Sequence, residues 1–157
     1  MVLIYGDLIN SRSLSVKKTI KFWNLVERQN ITQRHVVPFY ICLGDAFHGI
    51  VESPEAAKEW INNFREDLKK LGLAARYAVV PVRGDFSKIN TTKKYEKVAN
   101  KRKYLVINPL NIPELIIADK AVAKIKKNKK DQVVWVKKPS LQERNRNHKT
   151  LTLEYLK

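Results

Sequence analysis

The sequence predicts an α+β fold, built from strands and amphipathic helices that alternate in the first half of the chain. Apolar runs of strand length stand at 2–8 and 75–82, and apolar residues recur at helical spacing in 16–29 and 54–71. Prolines, glycines and serines separate these segments, as turn and cap residues do. With 157 residues, the chain is long enough to bury one sizeable core.

The first strand and the first helix are marked by their ends as well as by their apolar residues. Val2–Leu8 is almost continuously apolar, which is typical of a strand covered on both faces. Ser15 is suited to cap a helix from Val16 to Gln29. The residues expected on the buried side of this helix are Ile20, Trp23 and either Leu25 or Val26.

A hairpin is predicted after this helix. Its first strand covers 36–43 and contains Pro38, which lacks a backbone donor and therefore indicates an edge strand or a bulge. Gly44 and Asp45 form the turn, and Ala46–Val51 is the return strand.

A second helix and a further strand complete the repeated pattern. Ser53 and Pro54 provide an N-cap and a proline at the first helical position, and Gly72 ends the helix. Ala75–Val82 is the next strand. The order β-α-β-β-α-β over residues 2–82 is that of a ferredoxin-like or palm-type sandwich. For the domain as a whole we expect an antiparallel or mixed sheet with all helices on one face.

The sequence beyond residue 86 is more polar and more basic. The elements predicted there are two helices and two short strands, at 91–102, 113–125, 104–107 and 133–136. We therefore expect a single α+β domain followed by a polar tail or docked helix. Its parts are a palm-like core (1–86), a basic extension (87–138) and the tail (139–157).

The charge of the chain is large and unevenly distributed. The net charge is +16, with 12 basic and 9 acidic residues in 1–86 but 19 basic and 6 acidic residues in 87–157. This asymmetry favours contact between the basic half and nucleic acid or polyphosphate; the alternative is the lysine-rich surface of a heat-tolerant protein. Two tyrosines are interleaved among six cations, which suits phosphate contact combined with base stacking. The cations are Lys93, Lys94, Lys97, Lys101, Arg102 and Lys103.

Other features of the composition bear on the compartment. Cys42 is the single cysteine, which excludes an internal disulfide, and its strand context predicts a buried thiol. No apolar run reaches the roughly 18 residues that a membrane helix needs. The first residues lack the basic flank and cleavage site of a signal peptide. We therefore expect a cytoplasmic protein without a membrane partner.

Two acidic turns are the strongest indication of chemistry. Asp7 follows the apolar residues 2–5 of the first strand and Asp45 lies in the hairpin turn, and each has a glycine before it. If the two strands are neighbours, both carboxylates meet at one end of the sheet. Mg²⁺ is commonly held by one or two carboxylates together with substrate phosphates. The pair therefore predicts a divalent-metal site for phosphate chemistry, and the alternative is two ordinary turn carboxylates.

The same two segments resemble a known family. The chain has G-D-L-I-N-S-R at 6–12 and L-G-D-A-F-H-G at 43–49, which are similar to the G-D-[IL]-[IV]-x-S-[RK] and L-G-D-x-F-[QH]-G signatures of SatD-like proteins. Those proteins resemble the palm-type catalytic domains of class III nucleotide cyclases. The resemblance implies that Asp7 and Asp45 bind Mg²⁺ or Mn²⁺. It also implies that Ser11 and Arg12 lie where the phosphates of a nucleotide approach.

These observations predict a metal-dependent protein that handles phosphate groups of nucleotides or nucleic acid, as a phosphoryl or nucleotidyl transferase or as a nuclease. His48, just beyond Asp45, is either a general acid or base or a half-buried strand histidine. The alternative function is a non-enzymatic protein that binds DNA or RNA through its basic C-terminal half. A third reading is a structural or partner-binding protein. The three tryptophans are expected in the core: Trp23, Trp60 and Trp135.

Overall fold

The computed structural model describes residues 1–32, 35–42, 44–86, 112–127 and 130–137. These residues form one five-stranded sheet, three α-helices and a three-residue 3₁₀ helix at Ser11–Ser13. The α+β class predicted from the sequence is confirmed. In chain order the elements are β1 (Val2–Leu8), α1 (Val16–Thr32), β2 (Val37–Cys42), β3 (Ala46–Val51), α2 (Pro54–Lys70), β4 (Ala75–Pro81), α3 (Pro113–Ile125) and β5 (Val133–Trp135).

The strands lie in the order β2-β3-β1-β4-β5. Neighbouring strands are antiparallel except for β4 and β5, which are parallel, so the sheet is mixed. Helix α1 joins β1 to β2 across β3, and helix α2 joins β3 to β4 across β1. Strand β1 is therefore central, and its last residues lie between the start of β3 and the start of β4.

Both faces of the sheet are covered. One face packs against α1 and α2 through a cluster that includes Phe22, Phe47 and Trp60. The other face packs against α3 through a cluster that includes Tyr5 and Val122. The prediction that all helices lie on one face is thus wrong for α3. The reason is visible in β1, where all seven residues are buried and apolar side chains on the second face also need cover.

Local sequence explains most element ends. The Ser53 hydroxyl accepts a hydrogen bond from the Ala56 amide at 3.1 Å, which caps α2 as predicted. Gly72 follows α2 with φ +66°, a left-handed conformation that glycine adopts without steric cost. In α1, however, Ile20 is 43% exposed and Phe22 is fully buried. The buried face of α1 is therefore rotated relative to the predicted one, which included Ile20.

Strand β2 lies at one edge of the sheet and is irregular. Its pairing with β3 shifts between Val37 and Tyr40, around Pro38, as the proline predicted. Asn30 of α1 compensates with its side-chain amide. It donates to the Phe39 carbonyl at 2.8 Å and accepts from the Phe39 amide at 2.7 Å.

Several of the sequence predictions fall on residues that the structure does not describe. The helix and strand predicted at 91–102 and 104–107, the six cations from Lys93 to Lys103, and the tail at 139–157 lie outside the described residues. Trp60 is buried as predicted, but Trp135 is 43% exposed on β5, so the prediction of a core role for Trp135 is wrong. Among the described residues, no helix is long and apolar enough to cross a membrane.

Candidate carboxylate site at the end of β1

Asp7 lies near the end of the central strand. It is opposite Ala46 of β3 and Arg76 of β4, and its side chain is 8% exposed on the α3 face. The glycine before it has a packing role, because the Phe47 ring lies directly against the Gly6 backbone. Gly6 therefore leaves room for the Phe47 ring on one face of the sheet, and Asp7 places its carboxylate on the opposite face.

Asp45 lies in the β2–β3 turn beside the end of β1. Gly44 has φ +84°, which the turn requires, and the Trp23 indole donates a hydrogen bond to its carbonyl at 2.9 Å. The Leu8 amide donates to the Asp45 carbonyl at 3.1 Å, which ties the turn to β1. The Ser11 hydroxyl donates to Asp45 Oδ2 at 2.5 Å. Ser11 therefore orients a carboxylate in this structure, a contact that the sequence did not suggest.

Two cations lie beside Asp7. Arg76 Nη1 is 3.5 Å from Asp7 Oδ2, and Lys126 Nζ, just after α3, is 3.3 Å from Asp7 Oδ1. The Arg76 side chain is 7% exposed, whereas the Lys126 side chain is 50% exposed. Arg76 Nη2 also donates to the Lys126 carbonyl at 3.4 Å, so Asp7, Arg76 and the end of α3 form one network.

The electrostatic balance at Asp7 is dominated by burial. Burial raises the pKa of the Asp7 carboxyl above its usual value, while Lys126 and then Arg76 act in the opposite direction. The charge of Asp45 on the neighbouring turn also raises the pKa of Asp7. A bound cation would relieve both the burial cost and the repulsion.

A row of polar side chains continues from Asp7 along the same face of the sheet. The Tyr5 hydroxyl donates to Asp119 Oδ1 of α3 at 2.9 Å. His48 is opposite both Tyr5 and Tyr40 and is fully buried between these strands. The structure therefore places His48 two residues along β3 from Ala46, the partner of Asp7, and away from solvent.

The thiol of Cys42, at the end of β2, is affected by the charges of the same acidic residues. Burial, followed by the charges of Asp45 and Asp119, raises the pKa of its thiol from 9.0 to about 12. The thiolate is the reactive form, but a thiolate of higher pKa is also the stronger nucleophile, so alkylation at pH 8 is expected to be about fiftyfold slower than for an exposed thiol. The rate should rise about tenfold per pH unit up to pH 11. Iodoacetamide labelling followed by mass spectrometry measures this, and labelling as fast as that of glutathione would contradict it.

The structure brings together three of the predicted site residues and adds two others. Asp7, Asp45 and Ser11 lie together, whereas Arg12 is exposed in the 3₁₀ helix and has no ion pair among the described residues. Arg76 and Lys126 were missed. A charged residue inside the apolar run 75–82 was a usable signal for Arg76, but nothing in the lysine-rich sequence singled out Lys126.

The side chains at the end of β1 supply part of the ligand set that a divalent ion needs. Within the described ranges, no group of three or more His, Cys, Asp or Glu side chains is arranged to hold a metal. Asp7 and Asp45 supply two hard carboxylates, the number and type that Mg²⁺ or Mn²⁺ takes when phosphates and water complete the shell. The Lys126 side chain is flexible and half exposed, so a divalent ion can displace its ammonium group from Asp7. The residues therefore fit such an ion.

Comparisons with protein-family models, with curated proteins and with solved structures found no match to this chain.

Proposed function

We propose that the protein handles the phosphate groups of nucleotides or nucleic acid at a divalent-metal site formed by Asp7 and Asp45. One observation carries this proposal: Asp7 is a buried carboxylic acid near the end of the central strand, and the turn that carries Asp45 is hydrogen-bonded to the next residue of that strand. Such an arrangement is costly for a fold and is typical of sites that bind a cation.

The proposal extends to the kind of fold. The order β2-β3-β1-β4, with each helix joining two strands across a third, supports a ferredoxin-like core of the palm type. In that arrangement, the end of β1 and the β2–β3 turn lie side by side, where the resemblance to SatD-like proteins expects the two metal ligands. Arg12 and the phosphate role of Ser11 belong to this proposal as well.

Each side chain has a distinct part in the proposed site. When bound, Mg²⁺ or Mn²⁺ would orient phosphate oxygens and stabilise the charge that develops on them, or activate a water for in-line attack. Ser11 holds the Asp45 carboxylate in place. Lys126, once released from Asp7, and Arg12 are available to neutralise phosphate charge, and Arg76 keeps Asp7 oriented. Transferase and nuclease chemistry both use such a site.

Calorimetry with single substitutions tests the site. Wild-type protein is expected to bind Mn²⁺ or Mg²⁺, more tightly with a nucleoside triphosphate present. Asp7→Asn and Asp45→Asn should each abolish binding, because a carboxamide is a poor ligand for these ions. Glu59→Gln on the exposed surface of α2 is the control, with the same loss of one negative charge.

Two outcomes decide the matter. Absence of binding by the wild type, or retained binding in both Asp variants, would reject the metal site. Where binding is found, Cys42 offers a second readout. An ion at Asp7 and Asp45 would offset charges that raise the pKa of its thiol, and alkylation should accelerate.

A specific observation favours a second candidate function. Arg76 and Lys126 already balance Asp7, as they would in a structural ion-pair network. In that case the protein is a non-enzymatic nucleic-acid binder, for which the net charge of +16 supplies the attraction. This candidate predicts oligonucleotide binding that weakens steeply with salt and is unaffected by Asp45→Asn.

A further inference from the structure

The surface between α2 and β5 has a feature that the carboxylate site does not explain. Trp135 is the only aromatic residue among the large exposed side chains of the described ranges. It lies on the three-residue edge strand β5, in line with Val79 of β4. Val79 belongs to the core beneath α1 and α2, so Trp135 projects on that face of the sheet, opposite the face that carries Asp7.

A cleft of about 390 Å³ opens beside this tryptophan. Its apolar floor includes Ile61 of α2 and Val133 of β5, and its polar lining includes the amides of Asn62 and Gln132. Apolar floor and amide rim together suit a flat, heteroaromatic ligand, which stacks on rings and exchanges hydrogen bonds at its edge.

Cations are placed against the aromatic rings of this region. Lys58 Nζ lies 5.7 Å from the centre of the Trp135 ring, and Arg65 Cζ lies 5.4 Å from the centre of the Tyr77 ring below the cleft. Asp131 pairs with Arg65, and Lys58, which also interacts with the nearby carboxylate of Glu55, is the other cation among the lining residues. Lys130 and Lys137 are exposed on either side of β5 and extend the positive surface along the strand.

We propose that this cleft, the Trp135 cleft, is a stacking platform for one or two bases of single-stranded nucleic acid, with Lys58, Lys130 and Lys137 contacting the backbone phosphates. Exposed aromatic side chains beside cations are the two components that single-strand binding requires. A duplex is excluded as the preferred ligand, because its bases are stacked on each other and are not accessible to the Trp135 ring. The net charge of +16 gives the polyanion a long-range attraction that a peptide strand lacks.

Fluorescence anisotropy with a labelled single-stranded oligothymidylate tests this proposal. Trp135→Ala is expected to weaken binding about tenfold, the loss typical of one stacked base. Trp135→Phe keeps an aromatic face and should stay within about threefold of the wild type. Lys58→Gln should reduce the slope of log affinity against log salt concentration by about 1, whereas Lys21→Gln on α1 controls for the change in net charge.

Two controls distinguish loss of stacking from unfolding and from any contribution of the metal site. Circular dichroism checks each variant, and Lys58→Gln, a surface change, remains informative if Trp135→Ala unfolds. The proposal is overturned if the wild type does not bind oligothymidylate at low salt, or if Lys58→Gln and Trp135→Ala both bind like the wild type. It is also overturned if a duplex of equal length binds as tightly. All titrations are made in EDTA, so that a metal ion at Asp7 and Asp45 cannot contribute to the measured affinities.

Discussion

Replacing Lys126 with glutamine is expected to tighten the binding of Mn²⁺ or Mg²⁺ to this protein by about tenfold. A divalent ion that approaches Asp7 must displace Lys126 Nζ, which lies 3.3 Å from Asp7 Oδ1. The Asp7 side chain is buried but that of Lys126 is half exposed and therefore partly screened, so loss of the pair is worth about 1.4 kcal/mol, which equals a factor of ten in affinity. Glutamine keeps most of the side-chain length and removes the competing charge.

Lys127→Gln is a closely matched control for this experiment. Lys127 is exposed and adjacent in sequence, so both variants lose one positive charge near the end of α3. Any general effect of net charge or of the helix terminus should appear in both. Calorimetric titration with MnCl₂ should therefore show tighter binding for Lys126→Gln than for Lys127→Gln. Equal affinities would show that Lys126 does not compete, and no binding by any variant would reject the metal site itself.

Gly6→Ala is expected to destabilise the fold by about 3 kcal/mol, at the upper end of the usual cost of overpacking. A Cβ atom at residue 6 would lie 2.1 Å from Cζ of Phe47 and 2.6 Å from both of its Cε atoms. The ring has little room to move, because Phe47 is fully buried and packs against Phe22, Trp60, Phe64 and Tyr77. Urea unfolding followed by circular dichroism measures the change.

Two further variants identify the cause of this effect. Phe47→Leu relieves the clash, so the double variant Gly6→Ala/Phe47→Leu should be more stable than the sum of the two single changes predicts. Gly44→Ala is a useful contrast, because nothing lies within 4 Å of its Cβ position and only its φ of +84° opposes a side chain. Its cost should be about 1 kcal/mol. A Gly6→Ala protein with the urea midpoint of the wild type would refute the packing argument.

Much of the fold could be predicted because local signals agree with the tertiary structure. The bounds of β1, β3 and α3 were predicted to the residue, since apolar runs and terminal prolines or glycines mark them. The buried face of α1 was not predicted correctly, because Ile20 and Phe22 are both apolar and only tertiary packing decides which of them is buried. Trp135 was misplaced for a similar reason: an apolar residue in a strand predicts burial only if something covers that edge.

The candidate site was predictable only in part. The two Gly-Asp turns marked Asp7 and Asp45, and the strand pairing brings them together. The cations that balance Asp7 come from β4 and from the end of α3, far away in sequence, and no local pattern joins them. Their presence changes the chemistry expected of the site, because any ligand must compete with a pre-existing internal counter-ion.

The irregular edge at β2 affects how copies of this protein meet one another. An open strand edge can template the addition of further strands and so promote aggregation. Here Pro38 has no amide hydrogen to offer, and both backbone groups of Phe39 are already bonded to Asn30. An incoming strand would find the ladder interrupted at two consecutive residues. Loss of Asn30 would therefore free both backbone groups of Phe39 to pair with a strand of another copy.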